Sequence, residues 1–218
     1  MKHRIIGTLL ITTVMIGSSC SHKKDQWKKE RIKTNSQAKS HTRKHLQDFT
    51  EKWPVSSQSA INELYAKYGL PNSVTSDMVI WNTTPPFKKT VVFKEQIIQK
   101  FPFLHWDVIQ QTIDYKVPVD KISSLAKFNG SLIVDRTKGE ISSRSEKEEM
   151  NFLAINLADK IIKGDLSVEE ARREYTKSAE EFVMGSTNPM LSEFVFRPQT
   201  NTADPDRMMQ SQEIKTKR

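Results

Sequence analysis

Apolar positions along this chain fall into short runs whose spacing names the elements. Ile61, Leu64, Tyr65 and Tyr68 lie at i, i+3, i+4 and i+7, one face of a helix, with Ser57 or Ser59 placed to cap its start. Gly69 stops that helix and Pro71 prevents its resumption. Residues 78–81 and 90–94 read as short strands on either side of a Pro-rich loop, so 78–94 predicts a hairpin. Residues 101–104 are apolar but contain Pro102, which suits a packed connection. Val108, Ile109, Thr112 and Ile113 predict a helix over 106–114. Pro118 then sits at the first turn of a short helix with Ile122, Leu125 and Ala126 inward. Residues 131–136 and 140–143 flank Thr137, Lys138 and Gly139, a second hairpin signal spanning 131–143.

Two longer helices follow. Ser145 with Glu148, and Ser167 with Glu170, have the spacing of capping boxes. The first opens a helix over 146–163 with Met150, Leu153, Ala154, Leu157, Ala158 and Ile161 on one stripe. The second opens a helix over 168–184 with Val168, Ala171, Tyr175, Ala179 and Phe182 on one stripe. Gly164 and Gly185 end them, and the short loop between predicts an antiparallel helical hairpin. The apolar patch 191–196 is expected to dock on the core, and 198–218 to be a disordered tail. Strands and helices segregate instead of alternating. The expectation is an α+β domain over 53–197 with a small antiparallel sheet.

The first 52 residues have a different character. Lys2, His3 and Arg4 precede an apolar run over 5–16, then Gly17, Ser18 and Ser19 lead into Cys20. That is the layout of a secretory signal over 1–19. The run is shorter than the ~20 residues a helix needs to cross a bilayer. Of the formal net charge of +8, residues 21–52 supply +6, with ten Lys or Arg against four acids. The excess therefore sits on a basic, loosely structured tether over 20–52, and the domain is close to neutral. This removes the nucleic-acid reading that a basic chain invites; the tether is suited to weak contact with anionic head groups.

Cys20 is the single cysteine, so it has no intramolecular disulfide partner. Gly17, Ser18, Ser19 and Cys20 resemble the lipobox of bacterial lipoproteins, with Gly17 standing where that pattern prefers an aliphatic residue. The resemblance implies cleavage before Cys20, a diacylglycerol on its thiol, an acylated (palmitate-type) amino terminus and anchorage in the cell envelope. Two or more chains hold a protein stably where one does so marginally. Ser21 after the cysteine implies, by the same resemblance, the outer membrane facing the periplasm in a Gram-negative host. Gly69, Pro71, Val74 and Trp81 also resemble the SmpA/OmlA-type outer-membrane lipoproteins over 61–81, and the domain is similar to exported bacterial proteins without assigned activity. Neither likeness gives a role to a residue beyond Cys20.

Candidate chemistry is thin. His3, His22, His41 and His45 precede the domain, leaving His105 inside it. His41 and His45 have i, i+4 spacing, but on a basic segment that makes a poor metal site. A hydrolase reading can use His105 with Asp107, Asp114 or Asp135, yet no Gly-x-Ser-x-Gly elbow accompanies them. Carboxylate pairs such as Glu146/Glu149, Glu169/Glu170, Glu180/Glu181 and Asp135/Glu140 suit first helical turns and exposed faces. The charged run from Asp135 to Glu149 reads as a ladder of opposite charges, and Trp81, Phe87, Phe93, Phe101, Phe103 and Trp106 as core or, where exposed, a binding surface. No cofactor motif is present. The sequence thus predicts an envelope lipoprotein with a membrane anchor at Cys20 and an envelope protein partner, binding or scaffolding in role. The alternative is an envelope hydrolase using His105.

Overall fold

The computed structural model describes residues 43–206. The signal, Cys20, His41 and the end of the tail from 207 lie outside the described residues. The chain divides into two units at Asp48/Phe49. Of the first unit the described residues, 43–48, are helical. The second unit is α+β, as the segregated pattern predicts. Its helices are α1 (Val55–Tyr68), α2 (Ile122–Phe128), α3 (Glu148–Lys163) and α4 (Val168–Val183). Its strands are β1 (Ser73–Val74), β2 (Met78–Trp81), β3 (Lys89–Gln99), β4 (His105–Asp114), β5 (Leu132–Asp135) and β6 (Glu140–Ser145).

The strands form one antiparallel sheet in the order β1-β2-β3-β4-β6-β5. Both expected hairpins are present. The helix expected over 106–114 is instead β4, a central strand. Strand pairing places Val79, Trp81, Thr90, Val92, Asp107, Ile109, Gln111, Ile113, Ile141, Ser143 and Ser145 on one face, and all are buried. Asp107 and Gln111 occupy inward positions where an apolar residue would have revealed the period of two. That polar interruption left only the adjacent pairs Val108-Ile109 and Thr112-Ile113 visible, which mimic a helical stripe.

Helices α1 and α3 lie on this inner face. Trp81 Nε1 donates to the Gly69 carbonyl at 3.1 Å, fixing the end of α1 on β2. Asn151 of α3 donates to the Ile109 carbonyl and to Gln111 Oε1, both at 3.1 Å. Glu148, at the start of α3, accepts from Lys67, from Tyr68 (2.7 Å) and from Gln111 (2.5 Å). Buried polar groups need such partners, and here one carboxylate joins two helices and the sheet. With Glu148 so engaged, the expected capping box with Ser145 does not form. Ser145 caps nothing: it ends β6, opposite Ile109, and α3 begins two residues past the expected start, with Lys147 at its N-cap. Likewise α1 starts after Pro54, and Ser57 sits inside it, donating to the Phe93 carbonyl at 2.8 Å. The Ser167 capping box at the start of α4 forms in full.

Helices α2 and α4 pack on α3, joined by a core that includes Leu125, Phe128, Phe152, Leu157, Ile161 and Tyr175. Leu191, Phe194 and Phe196 dock on it, as the apolar patch predicts; Phe194 meets Phe152 and Phe87 at 5.0 and 5.3 Å between ring centres. Asn156 holds this segment by donating to the Met190 and Glu193 carbonyls and accepting from Val195 N–H. The chain does not come loose at Pro198. Gln199 accepts from Lys116 N–H at 2.9 Å, Thr202 is buried, and Arg136 pairs with Asp204 and Asp206. The segment 199–206 closes on the β5–β6 turn, which offers it a backbone carbonyl and a cation.

Candidate functional site

Strand β3 outruns its neighbours. It pairs with β2 only over Thr90 to Phe93, and β4 pairs with β6 only from Ile109 onward. Beyond those limits, Ile97, Ile98 and Gln99 pair with Asp107, Trp106 and His105, past a register shift after Val92. Residues 95–107 therefore form a two-stranded arm at the sheet's end. An isolated two-stranded ribbon is at best marginally stable in water, and this one is braced. Gln96 donates to Ser56 Oγ at 2.7 Å, and Gln99 donates to Ser131 Oγ at 3.0 Å. Ser131 in turn donates to Asp107 Oδ2.

His105 and Asp107 do meet. Nε2 of His105 lies 3.1 Å from Asp107 Oδ1. The alignment is poor, and Oδ1 is buried with no other donor in reach. Nδ1 of the same ring lies 2.8 Å from the Phe103 carbonyl. A carbonyl and a carboxylate only accept, so both ring nitrogens are placed to carry protons. Burial works against that charge, but the Asp107 contact and the Phe103 carbonyl outweigh it, with Glu146 assisting, and the pKa is raised above 6.5.

The order of the three groups is the decisive geometry. In a Ser-His-Asp triad the imidazole stands between the hydroxyl and the acid and takes the hydroxyl proton. Here the acid stands in the middle. Ser131 directs its proton to Asp107, and His105 presents N–H groups on both sides. The arrangement holds β4, the arm and the start of β5 together, and neither ring nitrogen faces the Ser131 hydroxyl.

Asp135 does not join this group. It lies opposite Glu140, which lies opposite Asp114 at the far end of β4, about 30 Å from His105 at strand rise. Lys138 occupies it, through its backbone N–H at 3.1 Å and its ammonium at 3.4 Å. Asp114 is paired with Lys88 at 2.7 Å. The charged run disperses along the molecule: Lys88 takes Glu140, Lys147 takes Glu63, and Arg136 takes the C-terminal segment. Among the described residues no group of three His, Cys, Asp or Glu is placed to hold a metal ion, and no helix is long and apolar enough to cross a membrane.

The aromatic set divides. Trp81 and Phe87 are buried in the core, while Phe103 and Trp106 are exposed on the arm. With them stand Ile97, Ile98 and Leu104, so five large apolar side chains within ten residues face solvent. Large apolar side chains exposed together at one end of a sheet mark a candidate contact surface. The sequence offered only half of it: the aromatics were visible, but Ile97 and Ile98 fall outside the strand expected over 90–94, because the extension of β3 past β2 has no local signal. Phe101, in the loop that joins β3 to β4, stacks on Arg172 of α4, with the guanidinium carbon 3.7 Å from the ring centre. Arg173, Lys177, Thr176 and Glu180 complete a depression beside it of about 360 Å³. Comparison with known proteins adds nothing to these observations, since no protein family, no curated protein and no solved structure matches the chain.

Proposed function

We propose that the chain is a lipoprotein of the cell envelope, exported by its first 19 residues and held on a membrane by acyl chains on Cys20, and that its α+β domain binds rather than catalyses, through the β3–β4 arm. The observation that carries the binding role is the exposure of Ile97, Ile98, Phe103, Leu104 and Trp106 together on a braced projection. The basic head, apolar run and Cys20 support export and anchorage, and Ser21 supports the outer membrane as the site in a Gram-negative host.

The hydrolase reading draws support from the 3.1 Å approach of His105 to Asp107. It is weakened by Ser131, whose hydroxyl turns to the acid instead of the imidazole. A single pair of measurements tests the proposal. Cells fed an alkyne fatty acid are expected to label the native chain and not Cys20→Ser, and the serine variant is expected to leave the membrane fraction. A photocrosslinker at position 104 is expected to capture envelope components in a Phe103-dependent way. A serine variant that stays equally membrane-bound overturns the anchor, and a crosslinker that captures nothing overturns the binding role.

A further inference from the structure

From the shape of the arm we infer that its partner is the surface of an anionic bilayer, into which Phe103, Leu104 and Trp106 insert at head-group depth. This rests on the reading of the arm as a binding surface and names what it binds. The exposed side chains do not line a groove. Ile98 and Trp106 are cross-strand partners on one face of the ribbon, Ile97 points to the other, and Phe103 and Leu104, the latter 73% exposed, belong to the connecting loop. A protein partner covering all five would have to enclose a ribbon on both faces and its tip. A fluid bilayer covers the exposed side of the loop, Phe103 and Leu104, without any such pocket, while Phe101 on the same loop stays packed on Tyr175 and Arg172. Trp and Phe are also the residues whose amphipathic or flat rings suit the boundary between head groups and chains.

Charge beside the loop is complementary to phosphate. Lys100 is exposed in the loop, next to Phe101 and three residues from Phe103. Arg172 stacks on Phe101 in the loop itself; Arg173 and Lys177 line the same depression with Glu180, Arg173 acting on Glu170 and Lys177 paired with Glu181 at 3.9 Å, so Lys100 and Arg172 are the cations nearest the apolar side chains. Arg172 also donates to the Phe128 carbonyl at 2.7 Å, which keeps its charge fixed beside the loop. His105 adds a cation when protonated. The other acids nearby are Asp107, buried and occupied by Ser131 and His105, Glu95, which acts on Arg144, and Glu146, which faces His105. A tip of apolar residues backed by cations is the pattern of an interfacial membrane contact. With a first anchor at Cys20 the second contact is intramolecular, so modest insertion suffices to lay the domain on the surface.

The test uses the full chain carrying Cys20→Ser, so that no acyl chain contributes, with vesicles of phosphatidylethanolamine and phosphatidylglycerol whose upper acyl carbons are brominated. Bromine quenches nearby tryptophan, and the chain has four tryptophans. Quenching is expected with these vesicles, reduced with neutral phosphatidylcholine, and its insertion-dependent part is expected to vanish in Trp106→Phe. Phe103→Ser and Leu104→Ser, both at solvent-facing positions, are each expected to lower vesicle partitioning on the order of tenfold. Quenching that survives Trp106→Phe unchanged, or partitioning indifferent to the tip, overturns the inference. So does vesicle-independent self-association that Leu104→Ser abolishes, which would make the occupant a second copy. If vesicle binding fails while position 104 still crosslinks to an envelope protein, the lipid partner falls and the binding role stands; if both fail, both fall.

Discussion

His105 illustrates how one residue's partners decide between two chemistries. As a lone histidine in the domain, with Asp107 two positions on, it was legible in the sequence as a meeting of imidazole and acid. What the sequence hid was Ser131, brought from 24 positions beyond Asp107 by the β4–β6–β5 pairing, and the direction of its hydroxyl. The consequence is measurable. With its folded pKa raised above the 6.5 of the free side chain, protonated His105 stabilises the fold fully below pH 6.5, and that contribution is lost as pH rises through the raised value. Following the imidazole carbon-bound protons by NMR should give a midpoint above 6.5, dropping in Asp107→Asn, where the neutral amide no longer holds the charge. A midpoint at or below 6.5 in the native chain, or one that Asp107→Asn leaves in place, would contradict the assignment of both nitrogens as donors. The side chain is 16% exposed, so solvent screens part of the attraction and the stability change is correspondingly modest.

At the scale of elements, local signals succeeded where local chemistry formed the element and failed where remote contacts took the same residues. The two capping boxes make the contrast. Ser167 and Glu170 bond each other's backbone as the spacing implies, and Glu170 is held below its ordinary pKa, first by the Ser167 side chain and then by its backbone N–H. Ser145 and Glu148 have equal spacing, but Glu148 is claimed by Lys67, Tyr68 and Gln111, and Ser145 belongs to the sheet. The same competition concealed β4, whose inward Asp107 and Gln111 serve these networks. The helical hairpin, both β-hairpins and the end of α1 were legible because apolar period and turn chemistry there agree. In equilibrium denaturation Ser167→Ala should lose about 1 kcal/mol, the ordinary cost of an N-cap. Ser145→Ala should lose roughly 0.5 kcal/mol or less, since its hydroxyl accepts only one long contact, from Lys147 N–H at 3.4 Å. Equal losses in the two variants would show that both serines cap.

Over the whole molecule, the chain closes on itself at Gly139. This glycine sits in the β5–β6 turn with φ of +69°, and a β-carbon there would meet the Thr202 carbonyl carbon and oxygen at 2.1 Å. Those atoms are backbone, so no side-chain rotation relieves the contact. Around it, Tyr115 N–H bonds the Gly139 carbonyl at 2.8 Å, Asp204 N–H bonds the Arg136 carbonyl at 3.2 Å, and Phe196 meets Tyr115 edge-on at 5.6 Å. The C-terminal segment is thus seated on the hairpin that ends the sheet and, through Asn156 and the phenylalanines, on the α3 core. Gly164 provides the comparison, since it too has positive φ, +83°, but a β-carbon there meets nothing within 4 Å. Gly164→Ala should lose only the left-handed backbone cost of about 1–2 kcal/mol. Gly139→Ala bears the same cost and must also lift 199–206 from the hairpin, because the turn is fixed by the β5–β6 ladder and the segment is the part free to move. Limited proteolysis should therefore cut Gly139→Ala within 199–206 at a rate well above the native chain, with Gly164→Ala protected like native. If the two variants lose equal stability and both keep the segment protected, the segment is held by its phenylalanines alone, and the turn contributes no lock.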